Sequence, residues 1–382
     1  MLNSKLPAVG TTIFSRMSQL AAEVQALNLS QGFPDFAPPA ALLEAMTRAV
    51  HKGNNQYAPM PGVMRLREQI AAQLLLHRNV SANPDTEITV VPGATEGIFC
   101  AIMAAAGKGD EVIVLDPCYD SYEPAITLAG ACAVHVPLIA ESFAVDWERV
   151  EAAITARTRM LIINSPHNPT GSVLAASDMA RLEALVERHE LLVVSDEVYE
   201  HLVFDARQHH SVLQYPGLRA RSVAVFSFGK TYAVTGWKTG YCVAPPALTA
   251  ELRKIHQFVC FVAVTPVQEA LADFMAAEPD YPATLADFYQ AKRDLFCRAL
   301  APSMFRIKPS AGTYFQLLDY SAISRREDVE VAENWTQKRK IASIPVSVFY
   351  QQPPDAYLLR LCFAKRDELL LEAAERLCRI SS

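Results

Sequence analysis

The chain contains no block of like charge, no long apolar run and no cysteine pair at CxxC spacing. Each absence excludes something. Lysine and arginine number 35 against 41 acidic residues, a formal charge of −6. Without a basic patch to neutralise phosphates, nucleic-acid binding is not expected. Every apolar run is broken by charge, Pro or Gly before membrane-spanning length, so no membrane partner is expected. The opening MLNSKLPAVGTTIFSRM lacks the unbroken apolar core of a secretory signal, and a cytoplasmic setting is expected. The eight cysteines read as reduced, mostly buried thiols. The nine histidines form no HExxH set, and no metal is expected. There is no internal repeat.

What is present is alternation. Ile88–Val91, Glu111–Leu115, Cys132–Pro137, Met160–Ile163, Leu191–Ser195 and Ser222–Phe226 are short, apolar and bounded by Gly, Pro, Asp or Asn. Such runs predict strands buried on both faces of a mostly parallel sheet. Helical patterns such as Glu96–Ala106 and Ser177–His189 separate them, which gives an α/β class. Beyond about residue 280 the order changes to a charged helix Ala286–Leu300, strands near Gly312–Leu318, Ala342–Pro345 and Tyr357–Phe363, and helices Asp328–Arg339 and Glu368–Arg379. This predicts a large α/β domain over 45–280. A smaller α+β domain takes 281–382 together with 1–44.

Ligands of open α/β sheets sit beyond the carboxyl ends of the strands. The residues there form a set. Gly93-Ala94-Thr95 stand at a strand-to-helix turn, where small residues let backbone amides approach an anion. The alternative is an ordinary helix start with Thr95 as N-cap. Tyr119, in DPCYDSY, is aimed at the crevice and can stack on a planar ring, or is simply a rim tyrosine. Asn168, in NSPHNPTG, can offer its amide to a phenolate oxygen. Asp196 ends an apolar strand, where an unpartnered carboxylate drifts toward neutrality and a cation keeps it ionised. A helix N-cap is its plainer role. Lys230 sits in SFGKTY. A P-loop needs Gly five residues before Gly229, but position 224 is Ala, so nucleotide binding fails. A lysine among apolar neighbours is a candidate Schiff-base amine. Arg360 interrupts an apolar strand and needs a carboxylate, either from the protein or from a substrate. An anion cradle, a stacking ring, a phenolate donor, an acid for a ring nitrogen and a Schiff-base lysine together fit pyridoxal 5′-phosphate (PLP).

With LSQGFPD, NQYAPMPG, NPTG, SDEVYEHL, SFGKTY and TGWKTGY in this order, the chain resembles the fold-type I, PLP-dependent aminotransferases of class I/II. Within them it looks like the methionine aminotransferase and kynurenine/glutamine transaminase branch. That resemblance implies transfer of the amino group of methionine, or another large apolar or aromatic L-amino acid, to a 2-oxo acid by a ping-pong route. Kynurenine or glutamine transamination, or β-elimination from S-conjugates of cysteine, is the alternative on the same site. A non-catalytic regulator is disfavoured because Lys230 and Asp196 are intact. The resemblance implies roles residue by residue. Lys230 is the cofactor-linking and proton-shuttling lysine, and Asp196 the partner of the ring nitrogen. Asn168 and Tyr199 face the phenolate oxygen, and Tyr119 stacks on the ring. Gly93, Ala94, Thr95, Ser227 and Lys238 hold the phosphate. Tyr57 reaches a phosphate across a homodimer interface. Arg360 binds the substrate carboxylate with the Gly32 backbone and Asn168. Many members carry Arg where this chain has Lys238, which keeps the charge and loses bidentate geometry. Phe14, Phe33, Tyr57, Tyr119 and Phe349 are candidate walls of the side-chain pocket.

Overall fold

The computed structural model describes residues 3–7 and 9–381. Met1, Leu2, Ala8 and Ser382, which fall within the expected small domain, lie outside the described residues. In chain order the strands are β1 (Leu27–Asn28), β2 (Ile88–Val91), β3 (Glu111–Asp116), β4 (Cys132–Pro137), β5 (Thr158–Asn164) and β6 (Leu192–Asp196). They continue with β7 (Ser222–Ser227), β8 (Gly240–Val243), β9 (Phe315–Asp319), β10 (Ile341–Ala342), β11 (Ile344–Pro345) and β12 (Leu358–Cys362). Seven of them form one sheet in the order β2-β8-β7-β6-β5-β3-β4. All run parallel except β8, which is antiparallel to both of its neighbours.

Side chains alternate across this sheet. On β3, Ile113 and Leu115 join one core with Leu66, Leu161 and Phe226, while Val112 and Val114 join another with Ile98, Ile126 and Val225. Both faces are covered by helices, so the strands read as continuous apolar runs. β4 departs from that expectation. It lies at the edge of the sheet, and Cys132 on it is exposed. Cys260 is exposed as well, against the expectation of buried thiols.

Two features aim residues at one edge. Five parallel strands, β2, β3, β5, β6 and β7, deliver their carboxyl ends there. β8 runs the other way, so its amino end arrives at the same edge, with Ser227 opposite Gly240. β8 therefore brings the preceding loop, with Lys238, to the strand ends. This strand was not expected from the sequence. Its four residues follow a Gly-rich loop and are too few to show a period.

A third core joins Met17 and Leu29 to Phe296, Leu318, Leu361 and Leu370, and also takes Tyr199, Leu202 and Phe204 from the 45–280 segment. Its antiparallel sheet has the order β11-β12-β9. β1 pairs with β10, which ties the N-terminal segment to this part. Arg360 lies in the middle of β12, opposite Ile344 and Leu317.

Candidate active site

A cavity of about 340 Å³ opens at the strand ends, between the large sheet and β12. Gly32, Gly93, Ala94, Thr95, Tyr119, Asn168, Asp196, Tyr199, Ser227, Lys230, Lys238 and Arg360 all line it. Tyr57 does not. It is 83% exposed and packs edge-on against Phe261 at 5.4 Å. Phe14 is a wall, while Phe33 lies under Lys365 Nζ at 4.5 Å. Phe349 packs behind Phe14, ring to ring at 5.9 Å.

The anion cradle begins with Gly93, the N-cap of the helix Ala94–Ala105. Its φ of 85° is in the left-handed region that favours glycine. A Cβ there would also meet Lys238 Cε and Nζ at 3.2 Å. Thr95 is therefore inside the helix rather than its N-cap. The first amides of a helix have no intrahelical acceptor, and its positive end favours an anion. Lys238, in a left-handed conformation at φ 46°, adds an ammonium beside them. Gly240 lets the strand pass, since a Cβ there would collide with the Phe226 carbonyl oxygen.

Asp196, the last residue of β6, is buried and has no helix to cap. Burial raises its pKa to about 6, even though the Tyr122 hydroxyl donates to Oδ2 at 2.6 Å and the Val198 amide to Oδ1 at 3.3 Å. A cationic partner in the cavity would relieve that cost. Lys230 follows β7 on the short helix Phe228–Thr231. It is not on the surface. Burial lowers its pKa to about 8, and Nζ donates to Gly32 O at 3.0 Å and to the Tyr314 hydroxyl at 2.9 Å. A smaller deprotonation cost makes it a better amine nucleophile.

Arg360 is 1% exposed. Its Nη1 donates to Asn168 Oδ1 at 2.7 Å and its Nη2 to Ser30 O at 3.0 Å. Among the described residues no carboxylate lies in salt-bridge range of it, and Nε has no partner. The guanidinium stacks on Phe315 at 3.9 Å. The internal ion pair is therefore not what holds it. A buried, partly unsatisfied guanidinium beside a cavity matches an incoming carboxylate. Asn164 fixes Asn168 by accepting its amide at 2.8 Å, and its own Nδ2 donates to Asp196 O at 2.8 Å.

Three residues at this site were not read from the sequence. Tyr314, before Phe315, looks like core, Tyr122 sits in a polar turn-like stretch, and Asn164 looks like a turn. Only the DPCYDSY repeat of tyrosines gave a faint signal for Tyr122.

The donor set fits PLP. It offers an amide-and-ammonium cradle for phosphate, a raised acid for a ring nitrogen, and a buried amine. It defines a fold-type I enzyme of the PLP-dependent kind. The family model for aminotransferase class I and II matches residues 24–377, and the chain belongs to that family. It is a PLP-dependent aminotransferase.

Similar proteins agree. A methionine aminotransferase from Escherichia coli K12 is 51% identical over 374 residues, covering 98% of this chain and 97% of its own. A solved Escherichia coli structure assigned a methionine aminotransferase function superposes with a TM-score of 0.97 at 50% identity, over 99% of both chains. Kynurenine–oxoglutarate transaminase 3 from Mus musculus is 31% identical, covering 98% of this chain and 89% of its own.

Proposed function

We propose that methionine is the preferred amino donor, with other large apolar or aromatic L-amino acids as further donors and a 2-oxo acid as acceptor. The observation that carries this reading is Arg360, a buried guanidinium without a carboxylate partner among the described residues, with Phe14 and Phe315 on the same wall. The arginine takes the α-carboxylate, and the aromatic wall takes an apolar side chain. The resemblance to a methionine aminotransferase at 51% identity supports the choice of donor. Transamination of kynurenine is a second reading, favoured by the kynurenine transaminase among the relatives and by the same aromatic wall.

When bound, PLP supplies an electron sink for the charge that develops at the substrate Cα. The chain does the rest. Lys230 Nζ would hold the cofactor and, when free of it, would take the substrate Cα proton and return it. In its free state Nζ rests on Gly32 O and the Tyr314 hydroxyl. Asp196, oriented by Tyr122, keeps a ring nitrogen protonated. Asn168 and Tyr199 would donate to the phenolate oxygen, and Tyr119 would cover the ring. Gly93, Ala94, Thr95, Ser227 and Lys238 would hold the phosphate. Asn168 and Arg360 orient the carboxylate, so proximity supplies much of the rate. The protein acts as a cytoplasmic homodimer, in which Tyr57 reaches the partner's phosphate.

The test is a visible absorption spectrum of the PLP-loaded protein with methionine and then a 2-oxo acid. A cofactor band that methionine shifts and the oxo acid restores is the expected result. A band that methionine leaves unchanged while kynurenine shifts it would transfer the assignment to the second reading.

A further inference from the structure

A second set of donors converges outside the reaction cavity, at the carboxyl end of β3. Asp116 ends that strand, Cys118 comes two residues later, and His135 stands on the edge strand β4, opposite Val114. All three side chains are buried, with His135 5% and Asp116 4% exposed. One carboxylate oxygen, the thiol sulfur and a ring nitrogen lie within 4.8 Å of one another. Asp116 Oδ1 and His135 Nδ1 are 2.8 Å apart.

The outer partners are also in place. Asp116 Oδ2 accepts from the Gln351 amide at 2.9 Å. Among the described residues the far ring nitrogen, His135 Nε2, is buried without a hydrogen-bond partner and faces Glu123 Oε2 at 3.8 Å. Metal-bound histidines donate their other N–H to a carboxylate, and a small movement of Glu123 brings it into range. A cavity of about 440 Å³ reaches the cluster and is lined by Cys118, Glu123, His135, Arg16 and Tyr350. It supplies both an entry path and room for a water.

We propose that Asp116, Cys118 and His135 bind a divalent cation of the Zn²⁺ class, with a water from the cavity as fourth ligand and Glu123 orienting His135. One oxygen, one nitrogen and one sulfur donor suit zinc and do not suit magnesium or calcium, which take oxygen alone. Binding costs one proton. The Cys118 S–H bond breaks, its proton goes to solvent, and the thiolate binds the ion. His135 binds as neutral imidazole through Nδ1 and donates its remaining proton, on Nε2, to Glu123. A bare Asp116–His135 pair accounts for their contact. With the thiol also within hydrogen-bonding reach of Asp116, what the pair leaves unexplained is the unpartnered Nε2. Tyr119 lines both this cavity and the reaction cavity, so the two sites share a wall.

The experiment is calorimetric titration of chelator-washed, PLP-loaded protein with ZnCl₂, with the thermal midpoint read alongside. One saturable zinc per chain and a zinc-dependent rise in Tm are expected. Cys118→Ser and His135→Gln are expected to weaken zinc at least about tenfold, and Glu123→Gln to weaken it by roughly 10-fold. Cys100→Ser removes a donor from the separate Glu96–Cys100–His256 group and is expected to leave zinc affinity unchanged. Glu123 has a half-exposed side chain, so its variant keeps the test open if a buried variant misfolds. No saturable binding to the parent protein overturns the proposal. So does wild-type affinity in every folded variant of Cys118, His135 and Glu123, or a loss that follows Cys100→Ser instead.

Discussion

Burial shifts both Asp196 and Lys230 toward their neutral forms. The Asp196 pKa is raised from 3.8 to about 6. Between those values the folded chain keeps a proton that the unfolded chain releases. This group therefore costs stability as pH rises through that window, and the full cost remains at neutral pH. Asp196→Asn is expected to raise the Tm of the PLP-free protein at neutral pH, with the gain fading below about pH 4. On the proposed mechanism the same change removes the anion that would face the ring nitrogen, and transamination is expected to fall roughly 10²–10³-fold. Calorimetry and steady-state kinetics on one variant read both effects. For Lys230 the pKa is lowered from 10.5 to about 8, and only the neutral amine is a nucleophile. The rate at which the PLP-free protein captures PLP covalently is thus expected to rise with pH, with a midpoint near 8. A stopped-flow midpoint near 10.5 would remove burial as the cause. At this scale the sequence was legible where a polar residue broke an apolar run, as at Asp196, Lys230 and Arg360. Tyr122 and Tyr314 were hidden, because a tyrosine has the same sequence signature whether its hydroxyl is idle or bonded to Asp196 or Lys230.

The helix Ala94–Ala105 links residue to element, since its first turn is the proposed anion cradle and its body lies on the sheet. Gly97 sets how closely it lies. A Cβ there would meet Cys242 Sγ at 2.6 Å and Val225 Cγ1 at 3.3 Å. Gly97→Val is therefore expected to push the helix off β7 and β8. The predicted loss is about 1–3 kcal/mol in urea unfolding, together with weaker PLP binding in fluorescence titration. Unchanged PLP affinity with the same loss of stability would separate cradle from packing. Strand positions were readable because both faces of the sheet are covered, so each buried strand is an unbroken apolar run. β8 was not readable, and without it the reason for Lys238's place stayed hidden. A four-residue antiparallel strand after a Gly-rich loop has no pattern of its own. It is fixed by Ser227 and by Val91, which it joins through Gly240, and Val91 is distant in sequence.

At the scale of the whole molecule the question is what covers Tyr57. Its loop is fastened from behind, since Ala58 N donates to Thr265 Oγ1 at 3.1 Å and that hydroxyl donates to Gln56 O at 2.7 Å. The tyrosine therefore points outward from a fixed base. Phe258 is 86% exposed, Val264 56% and Phe261 40%, and Phe261 packs on Tyr57. Contiguous apolar exposure of this kind marks an association surface. In the proposed homodimer these residues are buried and the tyrosine hydroxyl reaches the partner's phosphate. Sedimentation is expected to give twice the 42.0 kDa chain mass. Phe258→Glu places a charge on that surface and is expected to yield monomers with weakened PLP affinity. Tyr57→Phe is expected to remain dimeric and to lose only one hydrogen bond to a charged group, about 1.5–3 kcal/mol, or roughly 10–100-fold in PLP affinity. The pair of variants separates assembly from chemistry. A Phe258→Glu monomer that binds PLP like the parent would mean that each chain completes its own phosphate site, and Tyr57 would then be an interface residue alone.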